Sequence, residues 1–162
     1  MILSLTTCVC QAQVFHLEQV ADTAAMLVLT TDTMRSEWKI DYPVYRFQQC
    51  DIDGDGTREA VVGVVKPTRF DRSIARRVFI FKNFRGWIRP MWMGSSLGHE
   101  LIDFRCTGGR VRAALRNRKG DCAVGDYAWD RFGLAFVEWI ERDITQQHAL
   151  DLLNDISEKD KE

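Results

Sequence analysis

The stretch DIDGDGTRE at residues 51–59 has the residue types and spacing that point most directly to chemistry. Asp51, Asp53 and Asp55 occupy alternate positions, so a tightly turned loop brings three carboxylates to one centre. Calcium suits such a loop because it takes about six to eight oxygen ligands at roughly 2.3–2.6 Å and tolerates irregular geometry. The two intervening glycines let the backbone fold back where a side chain would clash. The stretch therefore predicts a calcium-binding loop.

The position of the glutamate separates this loop from an EF-hand. An EF-hand loop places its bidentate glutamate at about position 12, and that position here is Val62. Glu59 instead lies at the start of an apolar strand, and the backbone carbonyl of Thr57 is free to contribute. The alternative is an acidic turn that binds no ion. The ion is favoured because four clustered carboxylates would otherwise repel one another.

The nine-residue form D-x-D-G-D-G-x-x-E, set between two strands and followed by AVVGVV, resembles the calcium loop of FG-GAP (integrin-α-like) and VCBS-type propeller repeats. The resemblance covers residues 26–65. It implies a structural calcium ion that holds the hairpin and is bound by the side chains of Asp51, Asp53, Asp55 and Glu59. The run VGVVKPTRFDRSIARRVFIFK also resembles uncharacterised bacterial envelope proteins.

Composition favours one folded domain. The chain has 162 residues, 46% of them hydrophobic, which is enough for one substantial core and too short to suggest two. A formal net charge of −1 gives no reason to expect non-specific binding to nucleic acid or to an anionic membrane. We therefore expect a single β-rich domain over residues 13–162 and no nucleic-acid partner.

Short apolar runs broken by turn residues indicate an all-β, antiparallel fold. The segment 16–29 fits either strands or an amphipathic helix, whereas residues from about 144 to 157 predict a helix that Asp143 could cap. The candidate strands are 25–31, 36–40, 44–51, 59–65, 77–82, 86–92, 100–106, 110–116, 122–130 and 133–140.

Residues 26–65 and 78–117 repeat one order of strands and turns. Trp92 takes the place of Trp38, Phe104 that of Phe47, and the turn at 107–109 that of the acidic loop. A period of about fifty residues is typical of propeller blades, but a propeller needs about four blades of four strands. We therefore predict two to three blade-like meanders, forming an incomplete propeller or packed sheets, with a C-terminal helix.

The first twelve residues suggest export. They are apolar or small and end in Cys10-Gln11-Ala12, which resembles the end of a secretory signal, although no basic residue precedes them. The alternatives are a first buried strand and a lipoprotein acylation site at Cys8, although the Thr directly before this cysteine fits such a site poorly. The run is too short to span a bilayer. The expected location is periplasmic or extracellular.

The cysteines after the export segment are Cys50, Cys106 and Cys122. If Val111 lies opposite Cys106 and Arg116 opposite Cys122, the latter two cysteines are roughly 17 Å apart along one strand. A disulfide tolerates at most about 7 Å between Cα atoms. We therefore expect three buried cysteines and no disulfide.

Two further features bear on function. The sequence GSSLG at 94–98 matches the G-x-S-x-G nucleophile pattern, and Asp143 and His148 follow Ser96 in hydrolase order; the expected continuation as a strand favours a simple turn. A basic segment could be a solvated loop or could contact an anionic envelope protein or glycan. The residues of this possible partner surface are Lys66, Arg69, Arg72, Arg76 and Arg77.

Together these patterns favour an exported, calcium-stabilised binding module without catalytic activity. In this interpretation the ion orders the hairpin, and neighbouring loops, with 66–77 as the candidate, present the partner surface. The alternatives are a serine hydrolase that uses Ser96 and a structural subunit of the cell envelope.

Overall fold

A computed structural model describes residues 14–69, 71–94 and 96–159, with side chains described as far as Ile156. This part of the chain forms eleven strands followed by one helix. The elements are β1 (Val14–Ala21), β2 (Ala24–Thr30), β3 (Arg35–Ile40), β4 (Val44–Cys50), β5 (Glu59–Lys66), β6 (Ala75–Phe84), β7 (Trp87–Met93), β8 (Glu100–Thr107), β9 (Arg110–Arg116), β10 (Cys122–Asp130), β11 (Gly133–Ile144) and α1 (Gln146–Lys159).

The strands form three antiparallel sheets, each a meander of consecutive strands. Sheet A has the order β1-β2-β3, sheet B β4-β5-β6-β7 and sheet C β8-β9-β10-β11. The all-β prediction with blade-like meanders and a C-terminal helix is confirmed, and each of the ten predicted runs corresponds to a strand. The undecided segment 16–29 is a hairpin of β1 and β2, not a helix.

The sheets and the helix pack as successive layers. One apolar cluster joins sheet A to sheet B, a second joins sheet B to sheet C, and a third joins sheet C to α1. Sheet B therefore lies between two sheets, which explains why β5 reads as a continuous apolar run. In that strand Ala60 and Val62 belong to the cluster with sheet A, and Val61 belongs to the cluster with sheet C. A strand buried on both faces has no position for alternating polar residues.

Glycine is needed at one interior position of β5. A Cβ atom at Gly63 would lie 2.6 Å from Cζ of Tyr45 and 2.9 Å from Cβ of Arg46. The neighbouring strand β4 therefore approaches too closely for any side chain here. Gly63 therefore allows β4 and β5 to approach each other closely at the centre of sheet B.

The sequence repeat has a clear structural counterpart. Residues 26–65 include most of β2 and all of β3, β4 and nearly all of β5, while residues 78–117 cover the corresponding parts of β6 to β9. Each copy thus joins the last two strands of one sheet to the first two of the next. Trp38 and Trp92 both lie on the last strand of their meander. The turn after β8 corresponds to the acidic loop after β4, and an added Cβ at Gly109 would lie 3.2 Å from the Asp51 carbonyl oxygen.

The two outer faces of the layered stack differ: that of sheet A carries exposed ion pairs, and that of sheet C is covered by α1. On sheet A, Glu18 pairs with His16 and with Arg35, and Arg35 also pairs with Glu37. On sheet C, Ala149 and Leu153 of α1 are fully buried against a cluster that includes Val124.

The helix begins slightly later than predicted. It covers Gln146–Lys159 instead of about 144–157, because β11 continues to Ile144. Thr145 caps it, since its hydroxyl accepts a hydrogen bond from the His148 amide at 3.2 Å. The prediction of Asp143 as the cap is wrong: Asp143 lies within β11 and has a φ of 56°.

The prediction of three buried cysteines and no disulfide is wrong in two respects: Cys50 is only partly buried, and a disulfide is present. Cys50 and Cys106 form a disulfide with a Cα separation of 6.2 Å, joining the end of β4 to the end of β8. The predicted register within sheet C is confirmed, because Cys106 pairs with Val111 and Cys122 with Arg116. Cys122 is accordingly free and buried. The bond crosses between two sheets, whereas the prediction compared positions along one sheet only.

The predicted export segment 1–12 lies outside the described residues. Within the described residues, no helix combines the length and the apolar character that a membrane crossing requires.

Candidate metal centre

The acidic loop is fixed at both of its ends. It follows Cys50, which the disulfide links to sheet C, and it ends at Glu59, the first residue of β5. Between these points Ile52 is 4% exposed and belongs to the apolar cluster of sheets B and C. The loop is thus held by a covalent bond and a buried side chain, while residues 54–56 at its tip are exposed.

The aspartates fold the tip through hydrogen bonds to its own backbone. Asp51 accepts from the amides of Gly54 at 2.8 Å and of Gly56 at 2.9 Å. Both glycines have positive φ values, 76° and 85°, a conformation that other residues rarely adopt. Asp53 accepts from the Asp55 amide at 3.3 Å. The alternating aspartates and glycines therefore specify this turn.

Glu59 is the buried member of the site. Its side chain is fully inaccessible, and Oε2 accepts from the Ile52 amide at 2.8 Å. Its Oε1 is buried and has no hydrogen-bond partner. Burial raises the pKa of Glu59 to about 7, and the charges of Asp53 and Asp55 act in the same direction. A buried acceptor without a partner is unfavourable, so a hydrogen-bond donor or a cation next to Oε1 would stabilise the protein.

Three of the predicted ligands converge. Asp51, Asp53 and Glu59 each offer an oxygen, and these atoms all lie within 4.8 Å of one another. Two oxygens that each lie about 2.3–2.6 Å from one calcium ion can be no more than about 5 Å apart. The distances between their oxygens therefore fit a calcium ion bound by these three residues.

The other two predicted ligands, Asp55 and Thr57, lie at the tip and outside this three-residue group. Asp55 Oδ1 accepts from the Thr57 amide at 2.8 Å. Burial acts to raise the pKa of Asp55, but hydrogen bonds from Thr57 and from Lys82 outweigh it, and the pKa is lowered. Asp55 thus remains an ionised carboxylate at the rim.

Lys82 is the residue of this site that sequence reasoning missed. Its Nζ lies 2.7 Å from Asp53 Oδ2 and 3.3 Å from Asp55 Oδ2. The hydrogen bond to Asp53 is the largest influence that raises the pKa of Lys82. Phe81 pairs with Ala60, which places the following residue, Lys82, beside the start of β5. Strand register was the signal that could have found it.

The predicted partner residues are largely engaged inside the domain. The Lys66 ammonium lies 4.2 Å from the centre of the Tyr42 ring. Arg76 donates to the carbonyl of Ile102. Arg77 is 5% exposed and pairs with Asp71 at 2.7 Å. The remaining two residues, Arg69 and Arg72, are exposed in the connection between β5 and β6.

Segment 66–77 does not border the acidic loop. The loop ends at Glu59, the first residue of β5, and the segment begins at Lys66, the last, so seven residue steps separate them. At about 3.3 Å per residue this distance is roughly 23 Å. The two features lie at opposite ends of sheet B.

The neighbourhood of Ser96 does not have the form of a nucleophile elbow. Its hydroxyl accepts from the Gly98 amide at 3.1 Å, and the chain continues into β8 at Glu100. A nucleophile elbow leads from a strand into a helix. His148 Nε2 is paired with the Glu141 carboxylate at 3.1 Å. This geometry agrees with the interpretation of GSSLG as a turn.

No protein-family model matches this chain, and no curated protein and no solved structure matches it at a significant level.

Proposed function

We propose that this chain is an exported binding module whose acidic loop is stabilised by calcium and which has no catalytic activity. The ion would be bound by Asp51, Asp53 and Glu59, with further oxygens from Asp55 and the Thr57 carbonyl. Its role would be structural, since it neutralises carboxylates that the fold brings together. Binding would be performed by loops of the three-sheet scaffold.

The unpartnered oxygen of Glu59 is the observation that carries this proposal. An acidic turn that bound no ion would place its carboxylates in water, where each oxygen is solvated. Here one glutamate is fully buried beside two aspartates, and its Oε1 has no hydrogen-bond donor. A divalent cation would satisfy that oxygen and offset the repulsion among the three charges.

The disulfide supports the exported location. Disulfides form and persist in oxidising compartments and are rare in a reducing cytosol. Cys50 directly precedes Asp51, so its disulfide with Cys106 also fixes the start of the proposed metal loop. Extracellular calcium modules bind at about 10⁻⁴–10⁻³ M, which suits a compartment rich in the ion.

Thermal unfolding with and without calcium tests the proposal. If the dissociation constant is about 0.5 mM, then about 5 mM calcium adds roughly 1.4 kcal/mol and raises the Tm by about 3–6 °C over excess chelator. Magnesium should raise it less, because it demands a tighter octahedral geometry. Asp53→Ala should lose the calcium response, while Asp121→Asn, in the turn between β9 and β10, should keep it. An unchanged Tm at millimolar calcium would reject the metal site.

The proposed partner surface lies at the end of the stack opposite the metal loop. Arg69 and Arg72 project from the connection between β5 and β6, and Arg118 and Lys119 from the turn between β9 and β10. The disulfide joins the matching ends of β4 and β8, so β5 and β9 finish at the same end. A positively charged end suits an acidic envelope protein or an anionic glycan.

Retention on an anionic glycan resin tests this surface. The wild type should be retained at low salt and released as salt rises, because exposed charge attractions are screened. The variant Arg72→Glu should elute earlier than wild type, whereas Arg85→Glu, an equal change of charge at the metal-loop end, should elute with a smaller shift. Equal elution of all three proteins would reject this end as the binding surface.

A further inference from the structure

Lys82 occupies the rim of the candidate metal centre with a positive charge that belongs to the chain itself. Its Nζ bridges Asp53 Oδ2 at 2.7 Å and Asp55 Oδ2 at 3.3 Å. The lysine side chain is 28% exposed and that of Asp53 is 16% exposed, so the closer of these pairs is partly sheltered from water. The ammonium thus uses lone pairs that a bound cation would also need.

We infer that Lys82 is a tethered competitor of calcium at this site. The inference rests on the proposed calcium function and adds how the affinity of that site is set. Without the ion, the ammonium offsets one of the two negative charges of Asp53 and Asp55 and so adds to the stability of the folded loop. When calcium binds, the ammonium gives up Asp53 and moves away from the doubly charged ion.

The geometry explains why lysine replaces the ion only in part. An ammonium has three donors and makes short contacts, whereas calcium takes about six to eight oxygens. Lys82 reaches two rim carboxylates, and the inner oxygen, Oε1 of Glu59, still has no partner. Lys82 therefore reduces the repulsion between Asp53 and Asp55 and leaves Oε1 of Glu59 available to a cation.

Two effects of the lysine weaken calcium binding. The ion must displace the ammonium from Asp53, and an exposed or partly exposed pair of this kind contributes a modest stabilisation. The displaced charge then remains near a divalent cation and repels it. Each effect is worth a few-fold in affinity, so together they predict that removal of the lysine charge tightens calcium binding about tenfold.

The test compares Lys82→Met with a matched control. Arg89 pairs directly opposite Lys82 on β7, so Arg89→Met removes one positive charge from the neighbouring position without removing the contact to Asp53. Isothermal titration with calcium chloride gives the dissociation constants, and thermal unfolding in excess chelator gives the stability of the ion-free form. Lys82→Gln, which keeps a polar end group, repeats the comparison if the methionine variant does not fold.

The expected pattern combines two opposite changes. Lys82→Met should bind calcium about tenfold more tightly than wild type and melt at a lower temperature in chelator, while Arg89→Met changes the affinity by less than about threefold. An affinity for calcium equal to or weaker than that of wild type would overturn the competitor role while leaving the metal site intact. If neither wild type nor the Lys82 variants bind calcium, the proposed function fails and this inference fails with it. Calcium binding by the Lys82 variants alone would reject calcium stabilisation of the wild type, as an unchanged Tm would, and would leave the competitor role of the lysine standing.

Discussion

Replacing Glu59 by glutamine should stabilise the protein when calcium is absent and abolish its response when calcium is present. Glu59 is fully buried and its pKa is raised from 4.5 to about 7. One pKa unit corresponds to about 1.4 kcal/mol, so ionising Glu59 in the ion-free protein costs roughly 3 kcal/mol at pH 8. Glutamine has no charge to desolvate, can still accept from the Ile52 amide, and can donate towards the neighbouring aspartates. Glu59→Gln should recover most of that energy.

The raised pKa of Glu59 also gives the pH dependence a definite sign. For a carboxyl whose folded-state pKa exceeds its unfolded value, the stabilising contribution is complete below about pH 4.5 and is lost as the pH rises through about 7. In chelator, this group therefore makes the wild type less stable at pH 8 than at pH 5. Calcium should offset the loss at pH 8, and it should bind more weakly as the pH falls below about 7, because a proton then occupies the carboxylate.

Thermal unfolding at pH 5 and pH 8, each with calcium and with chelator, measures these effects. At pH 8 in chelator, Glu59→Gln should melt several degrees above wild type, and calcium should not raise it further. Glu37→Gln, an exposed acid on β3, is the matched control and should follow wild type in all four conditions. A glutamine variant that melts below wild type in chelator, or that still gains stability from calcium, would refute the reasoning.

The remaining predictions concern the scaffold and can be measured by denaturant unfolding. Replacing both Cys50 and Cys106 by alanine should lower the free energy of unfolding by about 4 kcal/mol, because the disulfide closes a loop with a sequence separation of 56. Cys122→Ala, which removes no crosslink, should not show this loss. Equal stability of oxidised and reduced wild type would contradict the expectation. Asp103→Ala should remove about 3–5 kcal/mol, because it leaves two arginines without their shared carboxylate in a partly buried site. Burial acts to raise the pKa of Asp103, but hydrogen bonds from these arginines lower it overall. The stability that Asp103 contributes should therefore persist above about pH 4 and fade as the pH falls through the lowered pKa. An Asp103→Ala variant whose stability falls with acid as that of wild type does would contradict this expectation. Leu153→Ala should cost about 2–5 kcal/mol, since this fully buried residue fixes the helix to sheet C, and a loss below about 1 kcal/mol would mean that the helix is not needed to cover that face.

The strands were predictable because each carries its own local signal. The turns around Gly108 and Gly120 mark hairpins, and the run of residues 60–65 shows a strand buried on both faces. The segment 16–29 was ambiguous because its apolar residues satisfy both periods, and only the pairing of Leu17 with Leu27 across a hairpin resolves it.

Contacts between layers were not predictable in the same way. The register within sheet C was correct and rightly separated Cys106 from Cys122, yet it contains no information on which residue of sheet B faces Cys106. Lys82 was overlooked for a related reason, since its contact with Asp53 spans 29 residues and depends on the register of β5 with β6. Local spacing identified the acidic loop, but not the charge that faces it.

The packing of β5 predicts that its two ends act independently of each other. Coupling between two binding events requires an element with two arrangements that both ligands bias, and it is reciprocal. Strand β5 is packed on both faces, so it cannot slide along its axis without opening two cores at once. A cation at one end and an anionic partner at the other should therefore contribute additively, so that, at equal ionic strength, the affinity for the proposed partner should not depend on whether calcium occupies the loop.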